Sequence, residues 1–485
     1  MNEGALEPEV EAWLRAGAGG RSACERVVET SISWLYFYPS RVLKLKKPVD
    51  LGFVDFTTPE QRRWAAQREV AFNRRTAPDI YRRVLTITRG RDGEISLRAS
   101  GEAVDYAVEM RRFDESQILA RRPTPDGDFA EDLGRRIARF HLSADRGRSG
   151  CGAEGMDYVI GSNAEQLKAR GGGLDRADVE ELEATTVAAF ERLRDLLDAR
   201  AAEGFCRACH GDLHLSNIFV EHGEPVLFDC IEFSDRLREI DVAYDIAFLL
   251  MDLIQRGANE AASRAFNGWL DEAARGLPES HWRGLAALPL FQSVRACVRA
   301  HVNAREDDGV AAKRYLDAAR RYLQPAAPRL VAIGGLSGSG KSTQARRIAP
   351  ELGGAPGAVV LRSDEIRKRL WEVAPTQKLG PEAYTLQATA AVYEALFATA
   401  REVLDAGLCV AADAAFLEPE QRAGIEAVAR DAGAPFDGIW MEAPEAVLRG
   451  RLSSRVSDAS DADNEVLSGQ LARDLGEIAW RRVNG

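Results

Sequence analysis

Alternating apolar and polar positions in the first hundred or so residues predict the strands of a small sheet. Successive side chains of a strand point to opposite faces, so this alternation is typical of a half-buried sheet. The predicted strands cover residues 33–38, 41–47, 95–97 and 106–110. Residues 1–30 are polar with helical spacing, and residues 59–74 also predict a helix.

In the middle of the chain, apolar residues recur at the spacing of amphipathic helices, which predicts a helical region. From Asp128 onward apolar residues recur at i, i+4 and i+8 as far as His141, which we expect to be a core histidine. Residues 179–202 form a second long amphipathic stretch, and residues 261–323 continue the helical pattern. A helix-rich region should therefore follow the small sheet.

The pattern changes after a proline-bearing linker, residues 324–329. A buried apolar run, residues 330–333, leads directly into a glycine-rich loop and an amphipathic helix. Further apolar runs that alternate with helices lie at residues 358–362, 408–413 and 436–441. Such alternation indicates a parallel sheet. We therefore predict two domains, an α+β domain over 1–323 and an α/β domain over 329–485.

Composition and charge narrow the possible environments and partners. The chain has 485 residues, which favours more than one domain, and its longest apolar run is too short to cross a bilayer. The first residues lack a basic segment followed by an apolar one, so we expect a cytoplasmic protein with no membrane partner. Seven cysteines, an odd number, favour reduced thiols. A net charge of −11 makes nucleic acid an unlikely partner, though a possible one for the second domain.

The densest group of chemically active residues lies around a predicted hairpin, residues 218–228. Asp212 and Asn217 lie on the polar loop before it, and Asp229 follows its second strand. Phosphoryl transfer from ATP needs a carboxylate that orients and deprotonates the acceptor hydroxyl, together with oxygen ligands for Mg²⁺. We predict Asp212 as this base and Asn217 and Asp229 as the metal ligands. Turn-capping acids are the plainer alternative, but the spacing of the three residues favours a nucleotide–metal site.

The offset from Asp212 to Asn217 is that of a kinase catalytic loop, although Gly211 stands where protein kinases have arginine. The stretch resembles the aminoglycoside phosphotransferase family, kinase-fold enzymes that phosphorylate small molecules. The resemblance covers about residues 25–322. It implies a protein-kinase-like domain with two lobes.

A kinase small lobe also needs a lysine that holds the α- and β-phosphates and pairs with a glutamate from the following helix. Lys44 and Lys46 lie on one face of the predicted strand 41–47. The resemblance implies the first of these lysines, so we predict Lys44 with Glu69 as its partner, and Lys46 stays open as the alternative. Residues 30–33 occupy the place of the usual glycine-rich loop.

Two neighbouring patterns have plainer explanations. Cys206, Cys209 and His210 match the C-x-x-C-H signature of haem attachment, but that chemistry needs export, for which the sequence gives no signal. Asp241 and Asp245 are spaced i, i+4 at the start of a predicted helix, where we expect them to brace the catalytic loop.

The second predicted domain opens on a phosphate-binding loop, residues 335–342, which read G-x-x-x-x-G-K-S between a strand and a helix. Backbone N–H groups of such a loop wrap the phosphates, the lysine contacts the β- and γ-phosphates, and the serine hydroxyl binds Mg²⁺. The predicted nucleotide-binding residues are Gly335, Gly338, Gly340, Lys341, Ser342 and Thr343.

Acidic and basic residues follow the strands of this domain, where parallel sheets bind their ligands. The segment resembles the small P-loop kinases related to gluconate kinase, polynucleotide kinase and zeta-type toxins. This resemblance implies Asp364 as the acceptor base, Arg367 as a substrate contact and Asp413 as a ligand of Mg²⁺ or of the acceptor. It also implies a lid in which Arg451 and Arg455 clamp the transferred phosphate, with a solvated helix face as the alternative.

Together these patterns predict a bifunctional kinase that uses ATP and Mg²⁺ to phosphorylate hydroxyl groups of small molecules. Two alternatives stay open. One is a regulatory protein in which one module senses nucleotide and gates the other. The second is a P-loop kinase that acts on nucleotide or RNA 5′-hydroxyl groups. Neither acceptor can be read from the sequence, because a shared fold does not transfer a substrate.

Overall fold

The structure is a computed structural model that describes residues 6–52, 54–97, 101–170, 173–454 and 459–485. Its α-helices are α1 Pro8–Arg15, α2 Pro59–Asn73, α3 Gly127–Ser143, α4 Gly152–Arg170, α5 Arg176–Glu203, α6 Asp235–Arg238, α7 Val242–Gln255, α8 Asn259–Ala273, α9 Leu288–Arg305, α10 Gly309–Tyr322, α11 Lys341–Ile348, α12 Ser363–Leu370, α13 Leu386–Asp405, α14 Pro419–Asp431, α15 Glu445–Ser453 and α16 Asn464–Leu471. Its strands are β1 Arg26–Glu29, β2 Ser33–Phe37, β3 Arg41–Lys46, β4 Tyr81–Arg89, β5 Ile95–Ser96, β6 Glu102–Arg111, β7 Cys206–Ala208, β8 Ile218–Glu221, β9 Glu224–Leu227, β10 Glu239–Asp241, β11 Leu330–Gly335, β12 Val359–Arg362, β13 Val410–Asp413, β14 Phe436–Glu442 and β15 Arg481–Asn484.

The chain divides into two compact units. The first unit holds the described residues of 1–124, 144–151 and 206–245, and the second holds those of 125–143, 152–205 and 246–485. The second unit thus combines helices from the middle of the chain with the parallel sheet. These compact units do not follow the linker at 324–329, and the division into domains 1–323 and 329–485 stays a prediction.

The first unit is built on an antiparallel sheet with strand order β1-β2-β3-β6-β4-β5. Its two faces have separate cores. Leu43 and Leu45 of β3 pack in the cluster that contains Val10 and Leu14 of α1, whereas Val42 packs in the cluster that contains Val70 of α2. Because side chains alternate along a strand, Lys44 and Lys46 share the α2 face with Val42.

Helix α2 begins at a capping box. The Thr58 side chain accepts a hydrogen bond from the Gln61 N–H at 3.3 Å, and the Gln61 side chain accepts one from the Thr58 N–H at 2.9 Å. Pro59 adds a fixed φ at the first helical position. Two turns after Gln61 the same helix carries Glu69, whose side chain is fully buried. The cap thus defines the start of the helix that delivers this carboxylate.

Two parts of the small sheet differ from the sequence prediction. The expected helix over residues 1–30 is restricted to Pro8–Arg15 in the described residues, and β1 follows it. β1 forms as a strand because it pairs antiparallel with β2, with Arg26 opposite Phe37. Strand β4, which no pattern predicted, pairs with β6 inside the sheet. Both differences arise from partners that lie elsewhere in the sequence.

In the second unit, helices α3 and α8 pack very closely. A Cβ added to Gly134 would lie 2.0 Å from the Ala265 carbonyl oxygen, and one added to Gly268 would lie 2.3 Å from that of Glu131. Side chains larger than glycine would therefore push the helices apart. This close approach places Arg135 of α3 within ion-pair distance of Asp271 of α8.

The sheet of the second unit is parallel, with strand order β12-β13-β11-β14-β15. Asp413 at the end of β13 lies opposite Ile333 of β11 and Arg362 of β12. The carboxyl ends of the three strands thus meet at one edge, as the alternation of strands and helices predicted. Among the described residues, no helix is both long enough and apolar enough to cross a membrane.

Candidate active sites

Lys44 is the centre of the polar group in the first unit. Its Nζ lies 2.8 Å from the Glu69 Oε1 and 2.6 Å from the Asp229 Oδ1. Helix α2 supplies Glu69, and the segment after the β8–β9 hairpin supplies Asp229. The structure thus brings together three of the residues predicted for this site.

The ion pairs of this group keep the buried side chains of Lys44 and Glu69 ionised. Burial by itself would raise the pKa of the Glu69 carboxyl, but the ammonium groups of Lys44 and Lys46 outweigh burial and lower this pKa to about 2. Burial would lower the pKa of Lys44, but Asp229 and Glu69 raise it well above its usual value. Buried charges persist only when paired, and each of these has an opposite charge within hydrogen-bonding distance.

Lys46 forms a second branch of the same group. Its Nζ lies 2.7 Å from the Glu69 Oε2, and it also forms an ion pair with Glu232. Lys46 and Glu232 are both buried, whereas the Asp229 side chain that contacts Lys44 is 42% exposed. Of the two candidate lysines, Lys44 is therefore the one that contacts a predicted metal ligand. Glu232 was not predicted as a site residue.

Asp212 and Asn217 are joined within the polar loop 210–217, which the sequence predicts to be the catalytic loop. The Asn217 Nδ2 donates to the backbone oxygen and to the Oδ2 of Asp212, both at 2.9 Å. The Asn217 backbone oxygen accepts from the Phe228 N–H at 3.0 Å, which connects the loop to the residue before Asp229. His214 Nε2 lies 3.3 Å from the Asp212 Oδ2. The loop and the hairpin thus form one hydrogen-bonded assembly.

Asp245 braces this loop through hydrogen bonds to its backbone, as the sequence predicted. Its two carboxylate oxygens accept the N–H groups of His210 and Gly211, at 3.0 and 2.9 Å. Gly211 has φ +85°, and an added Cβ would lie 2.8 Å from the Leu237 carbonyl oxygen. Glycine is therefore required at the position where protein kinases have arginine. Burial lowers the pKa of His210.

Two residues that the sequence did not single out hold the Asp229 segment. The Asp229 N–H donates to the Tyr81 hydroxyl at 3.0 Å, and the Cys230 N–H donates to the Asn73 Oδ1 at 2.8 Å. Asp229 itself has φ +62°, a left-handed conformation that a non-glycine residue adopts only at some cost. Tyr81 and Asn73 therefore stabilise the conformation that turns Asp229 toward Lys44.

In the second unit, the loop between β11 and α11 has the backbone of a phosphate-binding loop. Gly335, Gly338 and Gly340 have φ of +138°, +83° and +93°. A Cβ on Gly335 would lie 2.5 Å from the Met441 carbonyl oxygen, and one on Gly338 would lie 2.8 Å from that of Leu448. The glycines are therefore needed both for their conformation and for close packing.

The polar residues of this loop face a cleft of about 1420 Å³. The predicted residues that line the cleft are Gly338, Gly340, Lys341, Ser342, Thr343, Asp364, Asp413 and Arg451. The Lys341 Nζ donates to the Leu336 carbonyl oxygen at 2.9 Å, and the Arg451 Nη1 donates to that of Gly338 at 3.2 Å. Arg455, the second predicted lid arginine, lies outside the described residues.

Asp364 lies in the first turn of α12, which begins directly after β12. Arg367, one turn further, is buried, donates to the Ala383 carbonyl oxygen and stacks on the Tyr384 ring at 4.8 Å. Both residues line the cleft beyond the carboxyl ends of the strands. Asp364 and Arg367 thus line the same cleft as the phosphate-binding loop.

Arg362 is a further cleft residue that sequence reasoning missed. Its Nε donates to the Asp413 Oδ2 at 3.3 Å, and its Nη2 donates to the Ser342 Oγ at 3.4 Å. A buried guanidinium thus lies between the two residues of this unit that were predicted to bind Mg²⁺. The residue ends a predicted strand, which by itself signals no function.

Matches to protein families cover both halves of the chain. Residues 59–288 match the Phosphotransferase enzyme family, and residues 330–474 match the AAA domain family. The first match includes Glu69 and the catalytic loop, although Lys44 precedes it. The protein is therefore a kinase, with a kinase-like phosphotransferase domain followed by a P-loop kinase domain.

Relatives that align over most of this chain define its family. Uncharacterized proteins of Mycobacterium tuberculosis (Rv2004c) and Mycobacterium bovis (Mb2027c) are each 30% identical to this chain over 476 residues. Each alignment covers 94% of this chain and 92% of the relative. The chain belongs to the family of these mycobacterial proteins.

Similar solved structures match one half of the chain or the other. An aminoglycoside 2′-phosphotransferase-IIIa in complex with GDP is 12% identical and covers 65% of this chain and 99% of its own, with a TM-score of 0.39. A gluconokinase from Sinorhizobium meliloti 1021 is 22% identical and covers 33% and 83%, with a TM-score of 0.23. The Mycobacterium tuberculosis APS kinase CysC is 27% identical and covers 27% and 71%, with a TM-score of 0.22.

Proposed function

We propose that the chain is a bifunctional phosphotransferase, in which each module transfers the γ-phosphate of ATP to a hydroxyl group of a small molecule. The observation that carries this proposal is the same in both units. Each contains a lysine suited to phosphate, a carboxylate suited to act as base, and oxygen donors suited to Mg²⁺. In the first unit Lys44 pairs with Asp229, and Asn217 is hydrogen-bonded to Asp212; in the second unit the corresponding side chains line one cleft.

In the first module, Asp212 accepts the proton of the acceptor hydroxyl as that oxygen attacks the γ-phosphorus. Lys44, held by Glu69, binds the phosphates of ATP. The hydrogen bond from Asn217 fixes the orientation of the Asp212 carboxylate, so the base is aligned before the acceptor binds. Fixing both reactants in this way supplies most of the catalysis in phosphoryl transfer.

Asn217 and Asp229 would hold Mg²⁺ in this module, and their donor atoms fit that ion. Mg²⁺ prefers carboxylate and amide oxygens. The Asn217 Nδ2 donates to Asp212, which leaves its Oδ1 as the atom able to bind a cation. When bound, Mg²⁺ would neutralise charge on the β- and γ-phosphates.

In the second module, Lys341 and the N–H groups of the glycine-rich loop bind the phosphates, and Asp364 accepts the proton of the acceptor. Ser342 and Asp413 would hold Mg²⁺; the hydroxyl and carboxylate oxygens suit it. The Arg451 guanidinium, which contacts the loop at Gly338, adds positive charge where the phosphoryl group is transferred.

A regulatory protein is a second candidate, and one observation favours it. The turn that occupies the place of a glycine-rich loop in the first unit is closed by its own hydrogen bonds. The Thr30 N–H donates to the Ser33 carbonyl oxygen at 2.9 Å, and the Ser33 N–H donates to the Thr30 Oγ1 at 3.0 Å. These two N–H groups are therefore already used, which would weaken phosphate binding by this module.

Transfer of labelled phosphate from ATP tests both candidates. The full-length protein would be incubated with sugars, amino alcohols, nucleosides and RNA 5′ ends, beside its Asp212→Asn and Asp364→Asn variants. A neutral amide cannot take the proton, so we expect each variant to lose roughly 10²- to 10⁴-fold in transfer to one class of acceptor and to keep the other. Loss of all transfer in Asp364→Asn, with Asp212→Asn equal to wild type, would leave the first module a regulatory role.

A further inference from the structure

The beginning of the phosphate-binding loop packs against helices α15 and α16. Leu336, the second residue of the loop, contacts a cluster formed by Leu448 and Leu452 of α15 and Leu467 of α16. These three leucines are buried, at most 8% exposed. Burial of apolar surface holds such elements together. The two helices therefore support the loop, although they lie far from it in the sequence.

The peptide group between Leu336 and Ser337 has hydrogen-bond partners at both ends. Its carbonyl oxygen accepts from the Lys341 Nζ at 2.9 Å and from the Ser339 N–H at 3.1 Å. Its N–H, which belongs to Ser337, donates to the Gln470 Oε1 at 2.8 Å. Gln470 lies in the last turn of α16. The helix thus contributes a side-chain acceptor to the backbone of the loop.

The two ends of this peptide face in opposite directions, because the C=O and the N–H of a trans peptide point to opposite sides. The Leu336 carbonyl faces Lys341, and the lysine of such a loop contacts the β- and γ-phosphates. The Ser337 N–H, and Gln470 with it, therefore lies on the side away from the Lys341 ammonium. This position suits a residue that supports the loop and does not itself bind the phosphates.

A bound nucleotide would change the partners of the carbonyl end of the peptide. The lysine and the backbone N–H groups of a phosphate-binding loop donate to phosphate oxygens. Lys341 and the Ser339 N–H are thus donors that a nucleotide would draw away from the Leu336 carbonyl. The bond from the Ser337 N–H to Gln470 uses neither of these donors. Gln470 can therefore keep the peptide in place while the phosphates are bound.

The loop needs such a contact because its backbone is intrinsically free to rotate here. The peptide lies between Gly335 and Gly338, whose φ angles are +138° and +83°. Glycine permits many backbone conformations, so the neighbouring peptides gain little rigidity from it. A loop that is already fixed in its binding conformation loses less conformational freedom when the ligand binds, and its affinity is higher for that reason.

We propose that Gln470 is a positioning residue of the nucleotide site in the P-loop module: it holds the Leu336–Ser337 peptide in the orientation in which the loop receives phosphates. The inference rests on the proposed function of the P-loop module. It adds helix α16, which has no nucleotide-binding motif in its sequence, to the residues that set nucleotide affinity. A neutral hydrogen bond typically changes an equilibrium by roughly 2- to 10-fold.

The test measures nucleotide affinity by calorimetry in the full-length protein. Asp229→Ala serves as the parent, because it removes a predicted metal ligand of the other module. Gln470→Met removes the acceptor and keeps the length of the side chain. In this parent we expect it to weaken binding of ADP and of a non-hydrolysable ATP analogue, both with Mg²⁺, by roughly 2- to 10-fold. Without nucleotide, the unfolding midpoint should stay within about 2 °C of the parent, because Lys341 and Ser339 still hold the carbonyl end.

Gln344→Met is the matched control. It makes the same substitution in α11, the helix that follows the loop, where the Gln344 Oε1 accepts from the Arg347 Nε at 3.2 Å. The control should keep the affinities of the parent. Equal affinities in Gln470→Met and in the control would overturn the inference. Tighter binding in Gln470→Met would also overturn it, because Gln470 would then be blocking an N–H that the phosphates use.

A merely structural role of Gln470 gives a different result. The unfolding midpoint of Gln470→Met would then fall by the same amount with and without nucleotide, and this outcome contradicts the inference. If Gln470→Met does not fold, Gln470→Ala replaces it, with the same expected loss of affinity and the same contradicting results. A parent that binds neither nucleotide would refute the proposed function of the P-loop module itself, whereas an unchanged affinity in Gln470→Met refutes the role of Gln470 alone.

Discussion

At the scale of single residues, the first site is defined by two lysines that share one glutamate. Lys44 contacts Glu69 and Asp229, whereas Lys46 contacts Glu69 and Glu232. The two lysines are alike in sequence, two positions apart on one face of a strand. Only their partners distinguish them, and those partners follow about 185 residues later in the chain. Strand alternation could therefore predict the face but not the choice between them.

Replacement of the two lysines should have different effects, one on phosphate transfer and the other on stability. Lys44→Met should lower phosphate transfer by the first module roughly 100-fold or more, because it removes the charge next to the phosphates. Lys46→Met should instead lower the free energy of unfolding by about 3–5 kcal/mol, because it leaves Glu232 buried without its cation. Transfer rates and urea unfolding distinguish them. Normal stability in Lys46→Met together with lost transfer would reverse the assignment.

The shared glutamate predicts a pH dependence. The pKa of Glu69 is lowered from 4.5 to about 2, so its ionised form stabilises the folded state above pH 4.5, and this stabilisation is lost as the pH falls toward 2. Glu69→Gln lacks the charge at every pH. The difference in urea midpoint between wild type and Glu69→Gln should therefore be smaller at pH 4 than at pH 7, by the equivalent of roughly 1 kcal/mol. A larger difference in urea midpoint at pH 4 than at pH 7 would contradict a stabilising role of these ion pairs.

At the scale of elements, the motifs with local signals were predictable and the contacts between distant segments were not. The catalytic loop, its hairpin and the P-loop each combine a turn with flanking apolar runs, so short-range pattern was enough to locate them. Asp245 was expected to brace the catalytic loop, and its two bonds to backbone N–H groups agree. Tyr81 and Arg362 were missed because nothing in their own segments marks them; only tertiary packing brings them to Asp229 and Asp413.

The phosphate-binding loop offers a prediction about one element. Gly338→Ala should weaken ATP binding by the P-loop module at least about 10-fold, because φ is +83° and the added Cβ would lie 2.8 Å from the Leu448 carbonyl oxygen. Gly450→Ala is the control: it lies in α15, the same helix as Leu448, and its added Cβ meets nothing within 4 Å. The control should keep ATP binding unchanged in calorimetry. Equal ATP affinity of the two variants would contradict the close packing of the loop.

At the scale of the whole molecule, the compact units cut across the expected boundary. The sequence pattern changes at the linker 324–329, yet the parallel sheet shares its unit with helices α3, α8, α9 and α10. The ion pairs of Arg135 with Glu365 and of Asp271 with Arg369 lie within that unit. A fragment cut at the linker would leave Glu365 and Arg369 without these partners, so the full-length chain is the appropriate material for every measurement.

The central claim is that one chain contains two separate ATP–Mg²⁺ sites. The most direct measurement is the number of nucleotide sites per chain, by calorimetry with a non-hydrolysable ATP analogue and Mg²⁺. We predict two sites in the wild type, one in Lys341→Ala, one in Asp229→Ala and none in the double variant, because Lys341 contacts the phosphates in one module and Asp229 would bind the metal in the other. A single site in the wild type, abolished by one substitution and unaffected by the other, would contradict the account.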